Sequence, residues 1–295
     1  MKLYYYIDTG HRVGLDRLRR SAPVVKALQN RGVDVTLLTN DFRAGEYAKN
    51  EFAIKRYISV DLVRNIANIA TPADSVVIDS DDVSLPLVAD MIEYYGGLVR
   101  FSDDPQAAPI GKDIVISSIS QHDDVVKVDI VDPSYFERRK KSLNRVYFWG
   151  DDDYECGLVE HLDAFKDLGV KLLEGYYFFM QYGDELEKGF DEILESENYK
   201  DVLKSSEEFL TSSPQSALEA LAAGSNPIYI KKESSPRFWS EKLLSFGIPV
   251  IESFDKIGIE NTLALKRDYN RGSLSKDSGD EVAEKVVDFW AKKLD

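Results

Sequence analysis

The chain has 295 residues, enough for one large domain or, as we expect, for two domains of ordinary size. It is 43% hydrophobic and 30% charged, which is typical of a globular protein with a sizeable core. Its net charge of −15 argues against a nucleic-acid partner, whose phosphates need a basic surface, and against an anionic membrane.

The numbers and spacing of cysteine and histidine residues bear on whether the chain has a disulfide or a metal site. Cys156 is the only cysteine, so an intrachain disulfide is excluded, and the three histidines are too far apart in sequence to indicate a metal motif. We therefore expect neither a metal nor another cofactor. The sequence has no signal-peptide pattern and no apolar run of membrane-spanning length, which predicts a cytoplasmic protein without membrane insertion.

The first predicted element is a strand formed by a short apolar run that starts at Leu3 and ends on the pair Gly10 and His11. Ligands of open α/β sheets bind at the carboxyl ends of the strands, which is where this pair falls. Gly10 allows a positive φ or close approach to a ligand, and His11 can exchange a proton near neutral pH. The alternative is an ordinary turn in which His11 only caps the next helix.

A cluster of arginines follows, from Arg12 to Arg20, and it stands out in this acidic chain. It could serve a local anion site, with a solvated loop as the alternative. Ser21 and Pro23 then indicate the start of a helix that continues to Arg31. Alternating strand and helix patterns up to about residue 117 predict a parallel sheet.

Two of these predicted strands end on acidic residues. Asp79 follows a strand near residues 75–78, and Asp103 and Asp104 follow a strand near residues 98–101. Carboxylates at strand ends can act as general bases, bind a metal ion or accept from sugar hydroxyls. They are also good helix caps and turn formers, so both interpretations remain open.

The α/β pattern restarts after residue 142, with a strand over residues 145–149 and a turn at Gly150. We therefore predict an N-terminal domain over residues 1–142 and a C-terminal domain over residues 143–295. The final helix, over residues 280–292, has one apolar face that must pack on one of the two domains. It could return to the N-terminal one.

A hydroxyl-rich turn in the second half precedes an alanine-rich helix. The residues concerned are Ser212, Ser213, Gln215 and Ser216, with Glu219 within the helix. Free amides and the helix dipole favour phosphate at such a helix start, although Pro214 removes one donor. A capped helix start without a ligand is the alternative.

The segment from Thr211 to Gly224, with Pro227 after it, resembles the nucleotide-sugar motif of the glycosyltransferase-B (GT-B) superfamily. Gly10-His11 is similar to the Gly-x-Gly-His segment of the same group. The resemblance implies two Rossmann-like parallel-sheet domains that face a cleft. It also implies that Gly150 and the turn residues Ser212, Ser213, Gln215 and Ser216 bind the nucleotide, and that Glu219 accepts from ribose hydroxyls.

Within that superfamily, the length and the histidine most resemble the UDP-sugar hydrolases of the pseudaminic acid pathway. This resemblance implies a nucleotide-sugar substrate, most simply a UDP-sugar, in surface-glycan biosynthesis. His11 would be the general base and Asp79 a second catalytic residue. Gly10, Arg12, Asp103 and Asp104 would contact the substrate.

Several positions depart from the superfamily pattern. Ser213-Pro214 replaces a glycine pair in the phosphate turn, and the acidic run from Asp151 to Asp153 would repel a pyrophosphate. Three functions therefore stay open: a UDP-sugar hydrolase, a GT-B glycosyltransferase, and a non-catalytic binding or assembly protein with the same fold. The nucleotide, the sugar and the oligomeric state do not follow from the sequence.

Overall fold

The computed structural model describes residues 2–178 and 182–291, and the chain divides into two compact units. The first unit comprises the described parts of Met1–Gly10, Arg17–Asp132 and Ser275–Asp295. The second comprises His11–Asp16 and Pro133–Leu274. The longer segment of the second unit begins at Pro133, ten residues before the predicted boundary, and the 3-10 helix Pro133–Phe136 is held there by Lys204, whose Nζ donates to the carbonyl of Ser134 at 2.6 Å.

The first unit contains a six-stranded sheet in which every neighbouring pair is parallel, in the order β3-β2-β1-β4-β5-β6. Its strands are β1 (Leu3–Ile7), β2 (Val35–Thr39), β3 (Tyr57–Ser59), β4 (Ser75–Asp79), β5 (Leu98–Phe101) and β6 (Asp113–Ile116). Every residue of β1, β2 and β4 is buried, as expected for central strands covered on both faces.

The helices of this unit are α1 (Asp16–Asn30), α2 (Phe42–Phe52), α3 (Leu85–Tyr95) and α8 (Ser278–Ala291), with a 3-10 helix at Val63–Asn68. The prediction that the first helix starts near Ser21 is wrong. The buried stripe begins at Leu18, so α1 starts at Asp16 and Pro23 lies inside it. Helix α8 belongs to the first unit, where Ser278 Oγ accepts from the amide of Val131 at 3.2 Å. Lys292, the predicted end of this helix, lies outside the described residues.

The second unit contains another six-stranded parallel sheet, in the order β12-β11-β10-β7-β8-β9. Its strands are β7 (Leu143–Phe148), β8 (Val170–Leu173), β9 (Ile193–Leu194), β10 (Ser206–Thr211), β11 (Asn226–Ile230) and β12 (Val250–Ile251). Its α-helices are α4 (Tyr199–Ser205), α5 (Pro214–Ala222), α6 (Arg237–Ser245) and α7 (Lys256–Ala264). Short 3-10 helices occupy Pro133–Phe136, Gly157–Ala164, Gly183–Lys188, Ser196–Asn198 and Arg271–Ser273.

Because all strands of a sheet are parallel, their carboxyl ends meet at one edge in each unit. In the first unit Ile7 pairs with Asp79, and Asp79 pairs with Phe101, so the residues after β1, β4 and β5 come together. In the second unit Phe148 pairs with Thr211, which brings together the turns after β7 and β10. None of the described helices is both long and apolar enough to cross a membrane.

Candidate functional site

In the first unit, Asp79 at the end of β4 is tied to helix α1. It is 0% exposed, and it accepts from Arg20 Nε at 2.8 Å and from Ser21 Oγ at 3.0 Å. A second bond comes from Arg20 Nη2, while Arg20 Nη1 donates to Asp103 at 2.7 Å. Asp79 is therefore placed as the partner of a buried arginine, which does not suit the predicted catalytic role.

Arg17 is occupied in the same way. Its Nη1 donates to Asp8 at 3.2 Å, and its Nη2 binds Asp81. Burial raises the pKa of Asp8 above its ordinary value, and Arg17 partly offsets this effect. Asp104 is exposed and accepts from the amide of Gln106 at 2.8 Å, as in a simple turn. Arg17 and Arg20, two of the arginines expected to bind an anion, are thus neutralised by the strand-end carboxylates.

Gly10 is the last residue of the first segment of the first unit, and it has a backbone conformation that favours glycine. Its φ is +107°, and a Cβ there would lie 3.4 Å from Asp41 Oδ2. The chain then enters the second unit at His11.

Residues His11–Asp16 are fixed by the acidic run that follows β7. His11 Nδ1 lies 3.0 Å from Asp152 Oδ1, and the amide of Arg12 donates to the other oxygen of Asp152 at 2.8 Å. The amide of Leu15 donates to Asp151 Oδ2 at 3.0 Å. Two of the three acidic residues therefore serve as acceptors for the segment that carries the histidine.

Asp153, the third acidic residue, starts the 3-10 helix at Gly157–Ala164. Its carboxylate accepts from the amides of Gly157 and Leu158, both at 2.9 Å, and from the hydroxyl of Tyr182 at 2.5 Å. The whole run thus has protein partners, which reduces the repulsion of a bound anion that the sequence predicts.

The imidazole of His11 is held between aromatic rings. The ring centroid of Tyr177 lies 5.1 Å away and that of Tyr154 lies 5.7 Å away. The side chain is 34% exposed, so solvent can reach it. When Nδ1 carries the proton and donates to Asp152, the acceptor lone pair is on Nε2.

A pocket of about 160 Å³ lies at the carboxyl ends of β7, β10 and β11 in the second unit. It is lined by Arg12, Val13, Gly14, Asp16, Trp149, Gly150, Asp151, Asp152, Ser212, Ser213, Lys232 and Ser235. Whole small-molecule ligands occupy roughly 300–1,000 Å³, so this pocket suits one group of a ligand. The described residues contain no cluster of three potential metal-binding side chains.

Lys232 brings an amine to this pocket. Its Nζ lies 4.1 Å from the ring centroid of Trp149. Burial lowers the pKa of Lys232 to about 8, and nearby carboxylates partly offset the effect. Those carboxylates belong to Asp153, Asp16, Asp152 and Asp151.

The predicted phosphate turn is a helix cap in this structure. Ser213 Oγ accepts from the amide of Ser216 at 3.0 Å and lies 2.8 Å from both carboxylate oxygens of Asp16. The hydroxyl of Ser212 lies 2.9 Å from that of Tyr147. Of the predicted nucleotide-binding residues, Gly150, Ser212 and Ser213 line the pocket.

Glu219, Gln215 and Ser216 lie deeper. Glu219 is 0% exposed, accepting from the hydroxyl of Tyr199 at 2.6 Å and from Gln215 Nε2 at 3.2 Å. The hydroxyl of Tyr199 also lies 2.8 Å from Ser216 Oγ. These residues form a buried hydrogen-bond network that links α4 to α5.

Sequence reasoning missed four residues of the site. Lys232 is the second residue after β11, close to the strand end, and that signal was available in the sequence. Asp16 and Tyr177 are brought in by tertiary contacts only. Gly175 allows the turn after β8 to approach the acidic run, because a Cβ there would lie 2.3 Å from the carbonyl oxygen of Gly150.

No family model matches the chain, and no curated protein sequence matches it. Solved structures do match its fold. The calicheamicin glycosyltransferase CalG4 aligns with a TM-score of 0.62 at 14% identity and covers 99% of both chains. The spinosyn rhamnosyltransferase SpnG, complexed with thymidine diphosphate, aligns with a TM-score of 0.62 at 12% identity, over 98% of this chain and 96% of the other.

A third match is the UDP-GlcNAc 2-epimerase of Methanocaldococcus jannaschii, in complex with UDP-GlcNAc and UDP. Its TM-score is 0.55 at 13% identity, over 97% of this chain and 99% of the other. Identities this low establish the fold alone. The predicted GT-B-like fold, with two parallel-sheet Rossmann-like domains, is confirmed, and these structures do not extend that result to the hydrolases.

Proposed function

We propose that the chain is a nucleotide-sugar enzyme that transfers a sugar to an acceptor hydroxyl, with His11 as the general base. The pairing of His11 Nδ1 with Asp152 at 3.0 Å carries the proposal. The fold supports it, since matching structures include two named glycosyltransferases and an epimerase solved with UDP-GlcNAc and UDP. The donor would be a sugar linked to UDP or to thymidine diphosphate.

The His11–Asp152 pair has the features that base catalysis needs. The carboxylate orients the ring and stabilises its protonated form, while Nε2 is the atom that accepts a proton from the attacking hydroxyl. The rings of Tyr177 and Tyr154 contact the imidazole, with centroids 5.1 Å and 5.7 Å away. A positioned base of this kind accelerates a reaction by roughly 10²–10⁴-fold.

Transfer is preferred to hydrolysis because two of the matching structures are sugar transferases by name. The sequence favoured a hydrolase, and both reactions need the same base. They differ only in whether Nε2 activates a water molecule or an acceptor hydroxyl.

The test is release of UDP or thymidine diphosphate from a panel of donor sugars, with and without a mixture of hydroxyl acceptors, with products identified by mass spectrometry. We expect acceptor-dependent glycoside formation, and a loss of turnover of at least about 10²-fold in His11→Asn. His122→Asn is the matched control, because His122 is exposed and belongs to the other unit. Acceptor-independent release would favour hydrolysis. Binding without turnover, or equal turnover in His11→Asn, would contradict the catalytic proposal.

A further inference from the structure

Lys232 differs from the other charged groups around the pocket. Arg12, the other cation there, is 70% exposed and pairs with Glu155 at 3.3 Å. Within the described part of the chain, Lys232 takes part in no ion pair. Asp151, Asp152 and Asp153, by contrast, all accept hydrogen bonds from other groups. The amine is thus a cation with its donors still available.

The position of the amine is fixed by a rigid aromatic group. Trp149 is buried and packs against Phe254, with ring centroids 5.3 Å apart, and against His161, at 6.0 Å. A cation over an indole face is attracted by the ring quadrupole. Gly150, with φ of +125°, lies beside the amine, and a Cβ there would be 3.4 Å from Nζ, an ordinary van der Waals distance. The amine is therefore preorganised at the end of β11.

The same pocket presents two hydroxyls, those of Ser212 and Ser213, next to the start of α5. An ammonium group with two hydroxyls suits a small tetrahedral anion with several acceptor oxygens. The pocket volume of about 160 Å³ also suits such a group rather than a whole nucleotide.

We propose that Lys232 holds the terminal phosphate of a nucleoside diphosphate and thereby selects diphosphates over monophosphates. This inference rests on the proposed function, and it names the residue that recognises the donor. The terminal phosphate enters between the amine of Lys232 and the hydroxyls of Ser212 and Ser213. It replaces Asp16 as the partner of Ser213 Oγ. The amine of Lys232 thus binds the phosphate in place of the glycine-rich turn of the superfamily pattern, which Ser213-Pro214 replaces in this chain.

The chain offers a closely matched control. Lys231 is the adjacent residue and carries the same charge, but its Nζ pairs with Glu252 at 3.2 Å. Lys231→Met and Lys232→Met therefore remove the same charge from neighbouring positions, only one of which lines the pocket. Lys232→Arg restores the charge and serves as the rescue variant.

The experiment is calorimetric titration of the full chain with UDP, UMP, thymidine diphosphate and thymidine monophosphate, with thermal unfolding of each variant as the check on folding. In the parent and in Lys231→Met we expect tighter binding of a diphosphate than of its monophosphate. Lys232→Met should weaken diphosphate binding at least tenfold and leave monophosphate binding unchanged, and Lys232→Arg should recover part of the loss.

Retention of the diphosphate preference in Lys232→Met would overturn the inference and leave the proposed function standing. A parent that binds neither diphosphate would overturn the proposed function and this inference with it. If Lys232→Met unfolds, the comparison is made with Lys232→Arg and Lys232→Gln, and equal preference in both folded variants would overturn the assignment.

Discussion

The carboxyl-terminal edges of the two sheets are both acidic, but they are neutralised differently. In the first unit, arginines from α1 pair with the strand-end carboxylates, as Arg20 does with Asp79 and Asp103. In the second unit, Asp151 and Asp152 accept mainly from backbone amides and from His11. The first edge is a closed ionic network, whereas the second presents the imidazole of His11 and the amine of Lys232.

This difference shows how one fold can support either structure or chemistry at equivalent places. Charge pairs that satisfy each other stabilise an edge but leave little for a ligand. Carboxylates that accept from amides fix a loop, and here they hold the segment that carries His11, for which we propose a catalytic role. The contrast leads to four predictions, taken from the largest expected effect to the smallest.

Arg20→Met breaks the network of the first unit. Asp79 is fully buried, and removing Arg20 takes away its main partner and leaves only the more distant Arg17, whose Nε lies 3.8 Å from Asp79 Oδ1, so we expect a loss of about 3–5 kcal/mol in the free energy of unfolding of that unit. Denaturant unfolding followed by circular dichroism measures it. Arg56→Met is the control, because Arg56 pairs with Asp34 at the surface of the same unit and should matter little. A small effect of Arg20→Met would mean that the edge is not held by this network.

Glu219→Ala tests whether the second unit has a structural carboxylate too. The change removes the charged acceptor of the buried Tyr199 hydroxyl and leaves it only Ser216 Oγ, so we expect about 1–3 kcal/mol of destabilisation and unchanged UDP affinity. Urea unfolding and calorimetry measure the two effects, with the exposed Glu260→Ala as the control. A selective loss of UDP affinity would restore the ribose-binding role that the sequence predicts.

Diphosphate binding should weaken as the pH rises, if Lys232 is the phosphate-binding cation. With a pKa lowered to about 8 by burial, its amine is charged at pH 7 and about nine-tenths neutral at pH 9. We expect UDP affinity to fall about tenfold between these values at constant ionic strength. Calorimetry on Lys232→Met should give a flat profile. A parent profile as flat as that of the variant would remove Lys232 from the binding site.

Removing the helix cap Ser213 should have the smallest effect. Ser213→Ala removes the acceptor for the amide of Ser216, which typically costs about 1 kcal/mol. Ser84→Ala removes the corresponding cap of α3 in the first unit, where the bond to the amide of Leu87 is longer, at 3.4 Å. Thermal unfolding of both variants should rank Ser213 above Ser84, and the reverse order would be inconsistent with these geometries.

The fold follows from the sequence because parallel sheets are encoded locally. The buried runs of β1, β2 and β4 and the helix patterns between them can be read from short segments. The start of α1 cannot be read from a short segment, because Pro23 is a typical first-turn residue. Only the burial of Leu18 extends the helix to Asp16.

The site was predictable only in part. Gly10 and His11 follow from their position after a strand, but the partner of His11 is Asp152, a residue 141 positions away that the sequence marks only as part of an acidic run. Asp79 and Glu219 carry carboxylates, which the sequence assigns to catalysis and ribose binding. In the structure both are buried, where Asp79 accepts from Arg20 and Glu219 accepts from Tyr199. Such pairings depend on tertiary contacts that no local pattern contains.

The central claim is that His11 is a base oriented by Asp152, and a double-mutant cycle on transfer turnover tests it most directly. The kcat for sugar transfer would be measured for the parent, His11→Asn, Asp152→Asn and the double variant. The account predicts that both single variants lose turnover and that the double variant loses no more than His11→Asn alone, because Asp152 acts through the imidazole. Losses that multiply in the double variant, or parental kcat in Asp152→Asn, would contradict it.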